Sequence, residues 1–242
     1  PRIVMVSECE EDTEKYLNTL LKDKDLRDRL SLLGQREVFK NHTYRHRFRT
    51  ILSKVGLREE RNDLPGVSVI TVTNRPDTLH AIINNFKNQS YINTELIVII
   101  NNNSIKLEQW NTVMTTDKRI STFQIDEKNT MGECYNFAIG KAKYEFVSFF
   151  NDTDIYAPNY IGDLINAFDY ADAGIVGKYS HYAYIQDRSI LGIRNPDMEN
   201  RYVDTFPASA VIVRKDVMDV AKFDTVAENP FPILFSDCIH KG

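Results

Sequence analysis

The sequence has few cysteines and no pattern among them. Cys9, Cys134 and Cys238 lie far apart, in odd number and without metal-ligand spacing, which excludes a disulfide framework or a structural zinc site and fits unpaired thiols in a reducing cytoplasm. No apolar run approaches the roughly 20 residues that a membrane helix requires. No basic-then-apolar signal pattern opens the chain. There is no excess of positive charge: the formal net charge is −4, which argues against nucleic acid or an anionic membrane as the main partner. Neither a GxGxxG nor a Walker-type glycine-rich loop occurs, so a dinucleotide or ATP site of those kinds is not expected. What is present is ordinary for a globular chain, with 42% hydrophobic and 26% charged residues among 242. The start at Pro1, running directly into RIVMV, reads as a piece of something longer.

Two segments differ in character. Residues 1–64 are charge-rich and helical in pattern, apart from a strand-like RIVMV at Arg2 to Val6. Apolar stripes recur at Leu17, Leu20 and Leu21, at Leu26, Leu30 and Leu33, and at Tyr44, Phe48, Ile51, Leu52 and Val55. The turn formers of NDLPG, Asn62 to Gly66, then make a plausible linker.

From Val67 strands and helices alternate. VSVITVT (Val67 to Thr73), ELIVII (Glu95 to Ile100) and EFVSFF (Glu145 to Phe150) read as strands buried on both faces. Pro76 and Asp77 suit a helix start, with Leu79, Ile82, Ile83 and Phe86 at i, i+3, i+4, i+7. Thr130 and Glu133 form a capping-box pattern for a helix to about Lys141. This alternation predicts an α/β fold with a largely parallel sheet flanked by helices. Ligands in such sheets sit beyond the carboxyl ends of the strands. Three polar strand ends therefore share one crevice: Thr73-Asn74-Arg75, Asn101-Asn102-Asn103-Ser104, and Asn151-Asp152-Thr153-Asp154. Asp152 and Asp154 repel unless a cation sits between them, and Mg²⁺ or Mn²⁺ commonly takes one or two carboxylates plus substrate phosphates, although a DxD pair on a loop is by itself also compatible with a solvated turn. Asn101 to Asn103 are equally compatible with a simple turn, and Arg75 with a surface charge. His181, Trp110, Cys134 and the basic cluster of His42, Arg45, His46, Arg47 and Arg49 are read as surface or packing residues.

VSVITVTNRP, ELIVIINNNS, NTMGECYNFAIGKAKYEFVSFFNDTDIYAP and FPASAVIVRKDVMDVAKFD resemble the successive motifs of family-2 glycosyltransferases with the GT-A fold, a Rossmann-like, mostly parallel sheet. The resemblance spans roughly Val67 to Lys241 and implies a domain at 65–242. Asn129, Gly132 and Asn136 match the Asn-x-x-Gly block, and NDTDIYAP matches the metal-binding DxD region. The resemblance implies that Thr73, Asn74, Arg75, Asn101, Asn102, Asn129, Gly132 and Asp152 hold a nucleotide, and that Asp152 and Asp154 hold its diphosphate through Mn²⁺ or Mg²⁺. It further implies inverting transfer from a nucleotide-diphosphate sugar, UDP being the favoured carrier, to a sugar, lipid-linked or protein acceptor in polysaccharide, glycan or spore-surface assembly. Localisation is then cytoplasmic, with peripheral membrane attachment left open. Thr13 to Leu52 resembles the closing helices of CgeB-like glycosyltransferases of the GT-B fold, so 1–64 reads as the helical tail of an upstream domain against which it packs.

The chain departs from the family pattern in three places. The aspartate expected after the second strand is Asn101 or Asn102. Counted back from Pro158, Thr153 occupies the usual metal-binding position, which makes Asp154 the preferred ligand and leaves Asp152 for ribose or metal. The late acidic motif lacks Glu-Asp: Glu228, followed by Asn229, or Asp237 must serve as base, since asparagine cannot. These departures keep a second reading open, a GT-A module that binds nucleotide or acts as a scaffold without turnover.

Overall fold

The computed structural model describes residues 3–57, 64–108, 110, 117–207 and 209–226. Two compact units divide the chain, Pro1–Asp63 and Leu64–Gly242. The first is helical: α1 (Glu10–Lys22), α2 (Lys24–Glu37), a π-helical turn at Val38–His42 and α3 (Tyr44–Lys54). Asp23 caps α2 by accepting from the Leu26 N–H at 2.9 Å. The expected strand at Arg2 to Val6 is not formed over the described residues Ile3 to Val6, which are irregular. A β-branched run needs a neighbouring strand to pair with, and the described residues of this unit contain none.

The second unit contains the sheet. Its elements are β1 (Val67–Thr73), α4 (Leu79–Lys87), β2 (Thr94–Ile100), β3 (Ile120–Gln124), α5 (Met131–Lys141), β4 (Phe146–Phe149), α6 (Tyr160–Ala167), β5 (Ile175–Gly177), β6 (His181–Ile185), β7 (Ile190–Arg194), β8 (Val211–Arg214) and α7 (Lys215–Val220). Among the described residues six strands form one sheet in the order β3-β2-β1-β4-β8-β5, and β6 pairs with β7 as a separate hairpin. β3, β2, β1 and β4 are mutually parallel, whereas β8 runs antiparallel to β4 and to β5.

Alternation explains the two cores. Val67 and Val69 of β1, with Leu96, Val98 and Ile100 of β2, face α4 and α6. Ile70 and Val72, with Ile97 and Ile99, face α5. Both faces are covered, so every residue of β1 and β2 is buried. That coverage is why apolar and β-branched residues dominate both faces of the two strands.

One boundary differs from expectation, and one edge strand had no counterpart in the sequence pattern. α4 starts at Leu79 with Thr78 as its N-cap, and Pro76 and Asp77 lie in the preceding turn. The turn exists because the Thr73 hydroxyl accepts from the Arg75 N–H at 3.1 Å and meets the Thr78 hydroxyl at 3.0 Å, which delays the first helical residue. β3 was not foreseen, because ISTFQ is half-exposed at the sheet edge and lacks the apolar run of a central strand.

α5 approaches the end of the described chain closely. Thr130 and Glu133 form the capping box, and Asn136 clasps the Phe223 backbone, donating to its carbonyl at 2.9 Å and accepting from its N–H at 3.0 Å. At Gly132 a Cβ would stand 1.9 Å from the Asp224 carbonyl oxygen. Only glycine admits this approach. Gly132→Ala is expected to destabilise the fold by about 2 kcal/mol or more through overpacking, read as a lower midpoint in urea unfolding.

Candidate active site

The four parallel strands end at one edge of the sheet, and the antiparallel β8 begins there. Thr73, Asn101, Ile125 and Phe150 follow or close their strands side by side, as shown by Asn101 N–H to Thr73 O at 2.8 Å, Ile125 N–H to Ile100 O at 2.9 Å and Phe150 N–H to Ile70 O at 2.9 Å. The polar residues just beyond these strands are therefore brought together by register alone.

Asp152 is reached from β1. The buried Thr73 hydroxyl donates to Asp152 Oδ2 at 2.6 Å, a short bond to an ionised acceptor. Asp154 is reached from the turn leading into β8: the Ser209 hydroxyl donates to its Oδ2 at 2.5 Å. Each carboxylate is thus held through Oδ2 from a different part of the sheet, Asp152 by the last residue of β1 and Asp154 by the turn before β8, while its Oδ1 has no protein partner among the described residues. The loop beneath them is pinned by α4. Asn85 donates to the Asp154 carbonyl at 2.8 Å and accepts from the Tyr156 N–H at 3.1 Å. Gln89 donates to the Ala157 carbonyl at 3.1 Å. Tyr156 stacks on Phe150 with ring centroids 3.7 Å apart, and burial pushes its phenol well above the usual range. It stays protonated, donates to the Ser209 carbonyl at 2.7 Å and accepts from the Asn151 N–H at 2.9 Å.

The asparagine strand end is largely engaged with the protein. Asn102 donates to the Asn74 carbonyl at 2.8 Å and accepts from the Ser104 N–H at 2.7 Å, so its amide fastens two loops. Asn101 donates to the Asp126 carbonyl at 2.8 Å, leaving its Oδ1 without a partner among the described residues. Asn129 donates to the same Asp126 carbonyl at 3.0 Å. Asn74 and Arg75 are exposed at the rim, and the Arg75 guanidinium forms no hydrogen bond or ion pair with the described residues. At Gly132 the backbone of Asp224 and Thr225 occupies the space that a side chain would need. Glu228 and Asp237 lie outside the described residues. Trp110 is buried in the α4 and α6 core.

Sequence reasoning did not find Ser209, Tyr156, Asn85 or the Asp126-Glu127 corner after β3. Glu127 accepts from the Asn103 N–H at 3.3 Å. For Asp126 and Glu127 a signal existed, a polar pair closing the edge strand. Ser209 had none beyond preceding an apolar VIVR.

The donor set suits a hard divalent cation in one specific sense. Among the described residues no three His, Cys, Asp or Glu side chains gather as a metal cluster. Two carboxylates with one unengaged oxygen each match the habit of Mg²⁺ and Mn²⁺, which keep their other positions for water and substrate phosphates. They do not match an all-protein cage.

The sequence profile of glycosyl transferase family 2 matches residues 68–211, more than half of the chain. The chain belongs to glycosyl transferase family 2. It is 28% identical over 135 residues to a protein of Rickettsia felis described as an uncharacterized glycosyltransferase, covering 52% of this chain and 22% of that protein. Among solved structures it is similar to residues 1–349 of S. aureus TarS, with TM-score 0.55 and 16% identity over 72% of this chain and 54% of that one. It is also similar to the mannosyltransferase PcManGT of Pyrobaculum calidifontis, solved with GDP-Man and Mn²⁺, with TM-score 0.56 and 14% identity over 79% and 59%. At such identities the likeness shows the fold, which is GT-A. The chain spans about a fifth of the curated relative and little more than half of each solved chain. No helix among the described residues is long and apolar enough to cross a membrane.

Two outcomes follow from the geometry. Thr73→Val keeps the side-chain shape but removes the bond to Asp152, and is expected to lower stability by about 1.5 kcal/mol, measured by denaturant unfolding at pH 7. Cys134 is fully buried, and burial, with Glu133 adding, pushes its thiol up to about 11. Brief alkylation at pH 8 should therefore label the exposed Cys9 and spare Cys134 until denaturant is added, as read by peptide mass spectrometry.

Proposed function

We propose that this domain transfers a sugar from a nucleotide diphosphate, most favourably UDP, to a hydroxyl acceptor with inversion at the anomeric carbon. The observation that carries the reading is the pair Asp152 and Asp154 at the strand ends, each braced through Oδ2 by Thr73 and Ser209 and each keeping Oδ1 unengaged. Support comes also from the ligands of similar structures: TarS has been solved with UDP-GlcNAc and PcManGT with GDP-Man and Mn²⁺.

In this reading Asp152 and Asp154 hold Mn²⁺ or Mg²⁺, which when bound supplies Lewis-acid neutralisation of the departing diphosphate. The protein's own residues do the rest. Thr73 and Ser209 orient the carboxylates. Arg75 adds a fixed positive charge at the rim for the diphosphate. Asn101 Oδ1 accepts from the nucleotide base, while Asn102 and Asn129 hold the loops in place. The acceptor oxygen forms its bond to the anomeric carbon as the bond from that carbon to the diphosphate breaks, and its proton passes to a carboxylate. Glu228 or Asp237 is the proposed base. The Pro1–Asp63 unit is proposed as the tail of an upstream GT-B-like domain, and the setting as cytoplasmic glycan or spore-surface assembly. The exposure of Phe48, Ile51 and Val55 supports the former, since such a stripe needs a partner surface.

Titration of UDP with and without Mn²⁺, followed by UDP or GDP release from a panel of nucleotide sugars, tests the proposal. Metal-dependent binding with release is the expected result, and Asp152→Ala/Asp154→Ala should lose the metal-dependent part. Binding without release from any donor would favour a nucleotide-binding module instead. Unchanged binding in the double variant would remove the assignment of the acidic pair.

A further inference from the structure

Asp154 is exposed and sits in a loop, so nothing in its own backbone selects an orientation for its carboxylate. The orientation comes from outside. Ser209, two residues before β8, donates to Oδ2 at 2.5 Å. Ser209 is itself located by Tyr156, whose phenol donates to the Ser209 carbonyl at 2.7 Å and accepts from the Asn151 N–H at 2.9 Å. The contacts close a ring, from the end of β4 at Asn151, through Tyr156 and Ser209, and back to Asp154. Its rigid member is Tyr156, which is 5% exposed, stacked on Phe150 and edge-on to Tyr160. Asn85 then clamps the backbone on both sides of the intervening residue Ile155.

We infer that Ser209 is a positioning residue, held by the Tyr156 strut, that fixes the Asp154 carboxylate with Oδ1 turned outward for a divalent cation. The inference rests on the proposed role of Asp154. It adds that the turn leading into the antiparallel strand β8, and not only the acidic loop, sets cation affinity. The geometry has a specific consequence. Oδ2 is engaged by the Ser209 hydroxyl, so the carboxylate would present Oδ1 as its uncommitted oxygen to a cation. Losing the hydroxyl frees the side chain to rotate and lets both oxygens hydrate. Ordering it again then falls on cation binding.

The test uses the whole chain, with Mn²⁺ and UDP as probes. Free Mn²⁺ is followed by electron paramagnetic resonance, and UDP affinity is measured calorimetrically at zero and saturating Mn²⁺. Ser209→Ala should weaken Mn²⁺ binding in the presence of UDP about tenfold, a loss on the scale of one hydrogen bond to a charged group. UDP binding without metal should stay unchanged. Ser209→Thr keeps the hydroxyl and should restore most of the affinity. Tyr156→Phe keeps the ring stack but removes both phenol bonds, and should show the same metal-specific loss to a smaller degree. It also serves as the reading if Ser209→Ala fails to fold. Unaltered Mn²⁺ affinity in Ser209→Ala, or equal losses with and without metal, would overturn the inference. Asp154→Ala separates the two levels. If it abolishes Mn²⁺ binding while Ser209→Ala does nothing, only the positioning role fails. If Asp154→Ala is itself without effect, the assignment of the acidic pair fails and the positioning role with it.

Discussion

The hydrogen bond from Thr73 to Asp152 joins the ends of two neighbouring parallel strands. Its existence depends on register. β1 pairs with β4 so that Ile70 lies opposite Phe149, which carries Thr73 past the last paired residue of β4 and level with the loop beyond it. Shifting that register by one residue would turn Thr73 to the opposite face of the sheet and send the hydroxyl away from the acid. The apolar residues that fix the register, Val67, Val69, Ile70 and Val72 on β1, are all buried in one core or the other. Core packing on two faces thus determines where a single carboxylate sits at the edge.

A second support reaches the acidic loop from the other side. β8 runs antiparallel to β4, so its first residues lie at the edge where the parallel strands finish. That reversal places Ser209 beside Asp154. A parallel strand in the same position would have brought its far end there instead. The loop between Asp152 and Tyr156 is consequently tied to three segments, β1 through Thr73, α4 through Asn85 and the turn leading into β8 through Ser209. A short acidic loop with so many anchors is pre-organised, as the proposed cation site requires.

The asparagines of the second strand end gain their meaning from the same geometry. Asn102 uses both ends of its amide to fasten loops, to Asn74 and Ser104. An aspartate there would lack the N–H that reaches the Asn74 carbonyl. The departure from the family's acidic pattern is therefore structurally coherent at this position: the residue works as a staple. Asn101 differs, because only its N–H₂ is engaged, by Asp126. Two adjacent asparagines, indistinguishable in sequence, divide into one that holds the loop and one that retains an acceptor.

Periodicity and composition determined much of this protein. Seven consecutive buried residues in β1 and again in β2 require cover on both faces, which specifies a parallel sheet between helices. The Thr130 and Glu133 pair marks the start of α5 because its chemistry is local, a reciprocal cap within four residues. Asp152 and Asp154 are conspicuous because two charges so close demand an explanation wherever the chain leads. Periodicity failed where the signal was weak or the cause was distant: the edge strand β3 is half-exposed, and Pro76 and Asp77 yield to a turn governed by Thr73. Gly132 beside Asp224, Asn136 on Phe223, Asn85 under Tyr156 and Ser209 on Asp154 join residues 55 to 92 positions apart. Partners so far apart are chosen by how the sheet assembles, and no local pattern encodes them. Sequence alone therefore singled out the acidic pair as a candidate, and only tertiary structure decided which segments hold each carboxylate and which of its oxygens is left unengaged by the described residues.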